Sequence, residues 1–549
     1  MNQAISPKHP VAYFCAEYGL EANLPIYAGG LGVLAGDTLK AAVDADFPIV
    51  GVGLLYRGED AAQRIDSDGM QTEENIPVDP LTLGLEHVDV DGHPLFIQVH
   101  LTNVTIWMHC WRKRLSENVT LYLLDTETEQ NHFNERKISH ALYCGSDEDQ
   151  FRQQLLLGIG GVKLLHSLNI HPEVYHLNEG RPVFLHWQLI RSYMDFHGMS
   201  YTQAKDHARQ KTVYTNHTLV GAGNPGYPAS LIATYAQYYA DKMGVPVSAL
   251  LKDGIDHDPD HFQITRAALN VSRQANGVSQ LHTQFSQETW PEYNWTAITN
   301  GVHMPTWQRR NVADQVDDDH GLWESHLRAK RDLAEFVHYQ SGYRFDPNRL
   351  IISWARRITA YKQLPVLFTD LERLALLLRN PDRPIQLLVG GKAHFGDSEA
   401  KMVIQEIIHK FAGELSGHAL FVPDYNLDVA RYMVQGSDVW LNTPEYGKEA
   451  SGTSGMKALA NGVLSLSVAD GWVPELDWED KGWIIDHSRV AESVYELLEQ
   501  QIAPLYYDRN EAGLPVGWLS KMRQSIKSAP QFSAERMLAE YREKLYAKS

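Results

Sequence analysis

The sequence predicts an α/β protein made of two parallel-sheet domains. Short, almost wholly apolar runs read as strands buried on both faces, among them VAYF (11–14), FPIVGVGLLY (47–56), RLIISWA (349–355) and PIQLLVGG (384–391). They alternate with segments of helical period, such as GGLGVLAGDTLKAAVDA (29–45) and AKMVIQEIIHKFAGEL (400–415). At 549 residues the chain also exceeds what one hydrophobic core usually supports.

In the first half, VAYFCAEYG (11–19) is a strand, Gly29 and Gly30 open a helix, and 47–56 is the next strand. The texture then changes. Residues 84–125 alternate apolar and polar side chains, with Asp91-Gly92 as a turn signal, and predict inserted antiparallel strands. DQFRQQLLLGIGGVKLLHSL (149–168) predicts an amphipathic helix, PEVYHLN (172–178) a strand, RPVFLHWQLIRSYM (181–194) a helix and KTVYTNHT (211–218) a strand. This first domain is placed at 1–310, and a charged helical connection at 311–345.

A second domain, 346–520, repeats the alternation. RLIISWARR is a strand, and ITAYKQLPVLFTDLERLALLLRN (358–380) is expected as one helix. HALFVPDYN, DVWLNTP and VLSLSVADG read as further strands between helices. Residues 521–549 form a C-terminal helix expected to pack back on the first domain. Two such domains facing across a cleft make the GT-B fold of many glycosyltransferases, in which ligands bind beyond the carboxyl ends of the strands. No internal repeat of solenoid period is present.

Composition narrows the partners. Lys plus Arg number 49 against 68 Asp plus Glu, a net charge of −19, which disfavours nucleic acid and anionic membrane surfaces. Cys15, Cys110 and Cys144 are far apart, suit neither a metal-ligand spacing nor a disulfide framework, and read as reduced thiols. With no leader pattern in MNQAISPKHPVAYFCAEYG and no membrane-length apolar stretch, a cytoplasmic protein without a metal site is expected.

An anionic ligand must then be held by a local basic site. ARRITAYK (355–362) places Arg356, Arg357 and Lys362 at a strand end, where a cation cluster can bind phosphate. SGTSG (451–455) precedes a helix that begins near Lys457, a setting where backbone N–H groups can approach an anion. A lysine amine beside such a cradle can carry an aldehyde cofactor. Taken singly, each pattern also reads as a solvated basic face or a plain helix cap. Gly29-Gly30-Leu31-Gly32 is a third Gly-rich loop, without the dinucleotide-binding spacing.

Together these motifs carry a resemblance. EASGTSGMK, ARRITAYK, TNGVHMPTW, VYTNHT and YAGGLGVLAGDTLK occur in the order expected of the α-glucan phosphorylases, over residues 11 to beyond 475. The short bacterial branch is the most similar form. The resemblance implies reversible, retaining transfer of a glucosyl unit from an α-1,4-glucan or maltooligosaccharide to inorganic phosphate, giving glucose 1-phosphate. It implies pyridoxal 5′-phosphate on Lys457, with Thr453, the Gly30 backbone and Arg356 at the cofactor phosphate, and Tyr425 and Trp307 lining the site. Arg357 and Lys362 would hold the substrate phosphate. His217, Asn300, Tyr361, Glu449 and the backbone of Ala450, Ser451 and Gly452 would contact the sugar. The cofactor phosphate would exchange protons with the substrate phosphate, and its second pKa of about 6 suits that role near neutrality. Homodimers are usual in the family.

Two positions depart from the family pattern. Gly455 stands where the long enzymes carry Asn. In HLNEGRP (176–182), Arg181 stands where the family generally shows His, with Glu179 where many members have Asp. These lie toward the acceptor, so an altered acceptor preference is expected, or else an Arg181 that faces solvent or pairs with Glu179. Two other functions fit the fold: a nucleotide-sugar glucosyltransferase of the glycogen or starch synthase kind, and a catalytically silent glucan-binding protein.

Overall fold

The computed structural model describes residues 4–59, 61–143, 145–219 and 224–547. The chain divides into two compact units. The first comprises Met1–Glu59, Ile76–Thr299 and Met537–Ser549; the second comprises Asp60–Asn75 and Asn300–Arg536.

The first unit is organised on a ten-stranded sheet. Seven strands run parallel, in the spatial order Trp295–Ala297, Gln274–Gly277, Thr212–Thr215, Val174–Asn178, Val11–Phe14, Ile49–Leu54 and Val119–Asp125. Val11–Phe14 and Ile49–Leu54 are buried at every residue, as their unbroken apolar runs require. The long strand Val104–Arg114 joins the edge antiparallel, and carries Phe96–Leu101 and Glu86–His87. There the side chains alternate between core and surface, as in Phe96–Leu101, where Ile97, Val99 and Leu101 are buried. The last residues of the chain belong to this unit. Arg273 donates to the carbonyls of Leu545 (2.6 Å) and Tyr546 (3.1 Å), and the Tyr546 hydroxyl meets His176 Nδ1 at 2.9 Å.

The second unit carries a six-stranded, wholly parallel sheet, ordered Ala419–Val422, Ile385–Gly390, Leu350–Ala355, Val439–Asn442, Leu464–Val468 and Gly482–Ile485. In chain order this is 3-2-1-4-5-6, the doubly wound order whose crevice opens beyond the first and fourth strands. Residues expected as a connection form the 23-residue helix Asp319–Ser341, capped by Asp318 and packed within this unit. Its buried Lys330 and His326 meet Asp438 at 2.6 and 2.8 Å, beneath the start of the fourth strand.

Residues 358–380 are not one helix. Gln363 adopts a left-handed φ of 50° and Pro365 follows, so two short 3₁₀ turns precede a helix confined to Leu371–Leu378 and capped by Asp370. The unit also includes the antiparallel hairpin Ala62–Ile65 with Gln71–Glu74, although its chain neighbours belong to the first unit. Cys15 and Cys110 are buried free thiols, and Cys144 lies outside the described residues. Among the described residues no helix is long and apolar enough to cross a membrane.

Candidate active site

In the second unit the first strand ends at Ala355 and the fourth at Asn442, so Arg356 and Glu449 are both delivered to the crevice between them. The Glu449 carboxylate takes Arg356 Nη1 at 3.2 Å and a short ion pair from Lys362 Nζ. All three residues are only 8% exposed. Burial alone would raise the Glu449 pKa, but Lys362 and Arg356 outweigh it and hold the carboxyl below its ordinary range. Lys362 Nζ also lies 4.5 Å from the Tyr361 ring centroid. Arg357 takes no part in this cluster. It is exposed and makes no ion pair among the described residues, so its five donors remain available for an oxyanion.

Glu449 is held from behind by Asp470. The Asp470 carboxylate accepts the amides of Gly447 (2.9 Å) and Glu449 (3.0 Å), and so fixes the loop that ends the fourth strand. The segment then turns at Gly452, φ 85°, into the short helix Thr453–Leu459. That helix has two turns, so the local positive charge comes chiefly from the cations. Ser454 Oγ accepts Arg356 Nη2 (3.3 Å) and the Trp440 indole N–H (3.2 Å). Lys457 is 6% exposed, with Nζ 3.8 Å from the centroid of the buried Trp307 ring. Asn461 ties this arrangement together by donating to Trp307 O (2.9 Å) and Lys457 O (2.8 Å).

Several buried polar atoms of this unit have no hydrogen-bond partner among the described residues, including Arg356 Nε, Thr359 Oγ1, Asn442 Oδ1 and Ser451 Oγ around the cluster and, elsewhere in the unit, Asn300 Oδ1. Buried polar atoms are ordinarily paired, so these fit a polar ligand better than an apolar one. No group of three or more His, Cys, Asp or Glu among the described residues could hold a metal ion.

The first unit has its own crevice, between the strands ending at Phe14 and Asn178. Glu17 follows the first of these. It accepts the amides of Ala28 (2.8 Å) and Gly29 (3.0 Å) on one oxygen and the Tyr143 hydroxyl (2.6 Å) on the other. The Gly29-Gly30 turn is thereby anchored. A Cβ built on either glycine would meet nothing within 4 Å, so internal packing does not call for glycine there.

Glu179 follows the second strand with a left-handed φ of 72°. Burial lifts its carboxyl to about 7, against hydrogen bonds from the His217 amide (3.0 Å) and the Tyr214 hydroxyl (3.1 Å). His217 Nε2 donates to Asn178 Oδ1 at 2.6 Å, and burial pushes its pKa down to about 3, so the ring is neutral near pH 7. Arg181 is half-buried and forms no ion pair with Glu179, although its charge lowers the Glu179 pKa. Its guanidinium stacks 4.4 Å from the Tyr143 ring centroid and donates to Gln150 Oε1 at 3.3 and 3.4 Å.

The sequence model of the family described as "Phosphorylase: Carbohydrate phosphorylase" matches residues 308–514. The chain is 36% identical to the maltodextrin phosphorylase of Thermococcus litoralis, across 99% of its own length and 71% of that protein. It is 35% identical to the glycogen phosphorylase of Aquifex aeolicus, covering 98% and 86% of the two chains. The chain belongs to the α-glucan phosphorylase family. The glycogen phosphorylase of Mycobacterium tuberculosis is a further relative, 34% identical over 98% of this chain and 70% of its own.

In this α-glucan phosphorylase family member, the second unit brings together Arg356, Lys362, Glu449, Tyr361, Ser451, Gly452, Thr453, Lys457 and Trp307. Tyr425 joins them through Arg356, whose charge acts on its hydroxyl, and Arg357 is exposed next to Arg356. Gly30 and His217 belong to the first unit. Sequence reasoning missed Glu17, Tyr143, Trp440 and Asp470, and read Ser454 only as part of the SGTSG loop. Their partners lie 11 to 126 residues away, beyond a short window, and only the Asp470-Gly471 turn at a strand end gave a local hint.

Proposed function

We propose that this chain is an α-1,4-glucan phosphorylase with the GT-B arrangement. It would transfer a terminal glucosyl unit of a glucan or maltooligosaccharide reversibly, and with retention, to inorganic phosphate. The observation that carries this reading is the buried Arg356–Glu449–Lys362 cluster with the unpaired Arg357 beside it. Such a site offers phosphate two compensating cations and one free guanidinium.

Pyridoxal phosphate fits the residues present. Lys457 is buried and seated on an indole face, Arg356 keeps a spare N–H, and Tyr425 and Thr453 lie in the same unit. The bound cofactor would supply a phosphate group that exchanges a proton with the substrate phosphate. The chain's own residues do the rest. Arg357 binds substrate phosphate bidentately, and Lys362 and Arg356 offset the charge that builds up where two phosphates meet. Glu449 accepts hydroxyl protons of the sugar as hydrogen bonds, and Asn300 Oδ1 and Ser451 Oγ give it further polar partners. His217, neutral near pH 7, and the Gly30 backbone belong to the first unit.

The test measures glucose 1-phosphate released from maltooligosaccharides with and without phosphate, together with mass spectrometry after borohydride reduction. A pyridoxyl group on Lys457 and phosphate-dependent release are expected. Lys457→Ala should lose both while keeping its circular dichroism. A fully active Lys457→Ala protein would overturn the assignment. Release from a nucleotide-sugar donor, with none from glucan and phosphate, would point to a synthase instead.

A further inference from the structure

We infer that Gln63 and Gln71, on the hairpin Ala62–Glu74, are positioning residues for the anion-binding edge of the second unit, acting through Arg356 and Tyr425. This rests on the phosphorylase reading for the identity of the anion. The geometry behind it does not.

The two glutamines lie on one face of the hairpin, with Ile65 and Glu73, while Arg64, Thr72 and Glu74 take the other. They are buried, at 1% and 3% exposure, yet a buried amide is costly unless each polar atom is paired. Here pairing is complete. Gln63 Nε2 donates to Gly391 O (2.9 Å) and Gln71 Oε1 (2.7 Å), and Gln63 Oε1 accepts the Asp424 amide (2.7 Å). The Gln63 backbone N–H donates to Asp424 Oδ1 (3.1 Å). Gln71 Nε2 donates to Ala393 O (2.9 Å), and Gln71 Oε1 accepts the Ala393 amide (3.0 Å). Lys401 secures the same face through Glu73 at 2.7 Å.

These bonds end on backbone that carries the site. Residues 390–392 hold the Arg356 segment from the opposite side: Arg356 N donates to Gly390 O (3.2 Å) and Ile358 N to Lys392 O (2.9 Å). A Cβ at Gly391, φ 156°, would stand 2.1 Å from Arg356 O, so the two backbones are in direct contact. Asp424, φ 53°, precedes Tyr425, and Lys392 pairs with it at 2.6 Å. Glutamine suits this task because one planar amide both donates and accepts. Glutamate would present only acceptors to the carbonyls of Gly391 and Ala393. Ile65, on the same face, packs against the apolar core of the unit.

The experiment compares Gln63→Leu, Gln63→Asn, Gln71→Leu and the outer-face control Thr72→Ala. Each protein is read by phosphate KM, glucan KM, thermal midpoint, and Trp fluorescence titration of the cofactor-free protein with pyridoxal phosphate. Gln63→Leu and Gln71→Leu should raise the phosphate KM and weaken pyridoxal phosphate binding by about tenfold or more, as small misplacements of binding groups do. The glucan KM should stay within about twofold, Thr72→Ala should match wild type, and Gln63→Asn should recover part of the loss. A lowered midpoint with unchanged phosphate KM and cofactor binding would overturn the inference. If wild type lacks phosphorolysis altogether, the function fails, and the titration alone decides the positioning role. Variants too unstable to purify are replaced by Gln63→Glu, whose titration must weaken likewise.

Discussion

Replacing Glu449 by Gln separates the two partners that compete for Lys362 and Arg356. The side chain keeps its shape and one acceptor oxygen but loses its charge, leaving two cations with side chains 10% and 8% exposed. Breaking a buried ion pair costs about 3–5 kcal/mol, and the retained amide oxygen puts this case at the lower end, about 3 kcal/mol. For a unit of this size, that is a fall of roughly 6–12 °C in the thermal midpoint. Phosphate should then matter more to the variant than to wild type, because Glu449 no longer blocks the cations. An anion at a hundred times the variant's dissociation constant returns about 2.7 kcal/mol to it, so the gap should narrow by that amount less what wild type gains from the same anion.

The pH dependence has a definite sign. Glu449 has a depressed folded pKa, so it contributes stability above its unfolded value of about 4.3 and loses it as pH falls through the lower folded value. The wild-type advantage should therefore shrink in acid. Calorimetry of both proteins across pH and phosphate concentration reads each point. If the two proteins differ by under about 1 kcal/mol, or if saturating phosphate leaves the gap unchanged, the cluster is not an anion site built around Glu449.

Three further outcomes follow from the same geometry. Arg357→Ala should lower efficiency with phosphate or glucose 1-phosphate by about 10²–10³-fold, with glucan binding nearly intact; unchanged phosphate saturation would reduce Arg357 to surface charge. Arg181→His removes the guanidinium stacked on Tyr143, and should reorder a panel of maltooligosaccharide and glycogen acceptors at fixed glucose 1-phosphate; identical rankings would make Arg181 structural. Lys330→Met leaves the buried Asp438 with only His326 and the Ile351 amide, and should cost about 3 kcal/mol in urea unfolding, most of it recovered when Asp438→Asn is added; a simple sum of the two losses would refute the pairing.

Much of the second unit was legible from sequence because its strands are buried on both faces. LIISWA and IQLLVG have almost no choice but a parallel interior. The broken helix at 358–380 was signalled by Pro365 and Asp370, but the apolar run LPVLF masked both. The cation cluster and the EASGTSGMK loop could be read locally, since each lies within a few residues of a strand end. The groups that orient them could not. Asp470 reaches Glu449 across 21 residues, Tyr143 reaches Glu17 across 126, and Gln63 reaches Gly391 across 328. Nothing in a short window marks such a glutamine or tyrosine as different from a surface one.

That last separation has a bearing on how the protein is made. The hairpin leaves the ribosome long before the turn at Gly391 that its glutamines clasp. With 328 residues between them and synthesis at about 5–20 residues per second, the wait is roughly 15–65 s. Throughout it, the first unit must gather its strands on either side of 60–75 while that segment lacks its final partners. For the same reason a cut near residue 300 would part the hairpin from the unit it belongs to. A fragment beginning there would lack the glutamine amides that pair with Gly391 and Ala393, and would leave those backbone groups to water.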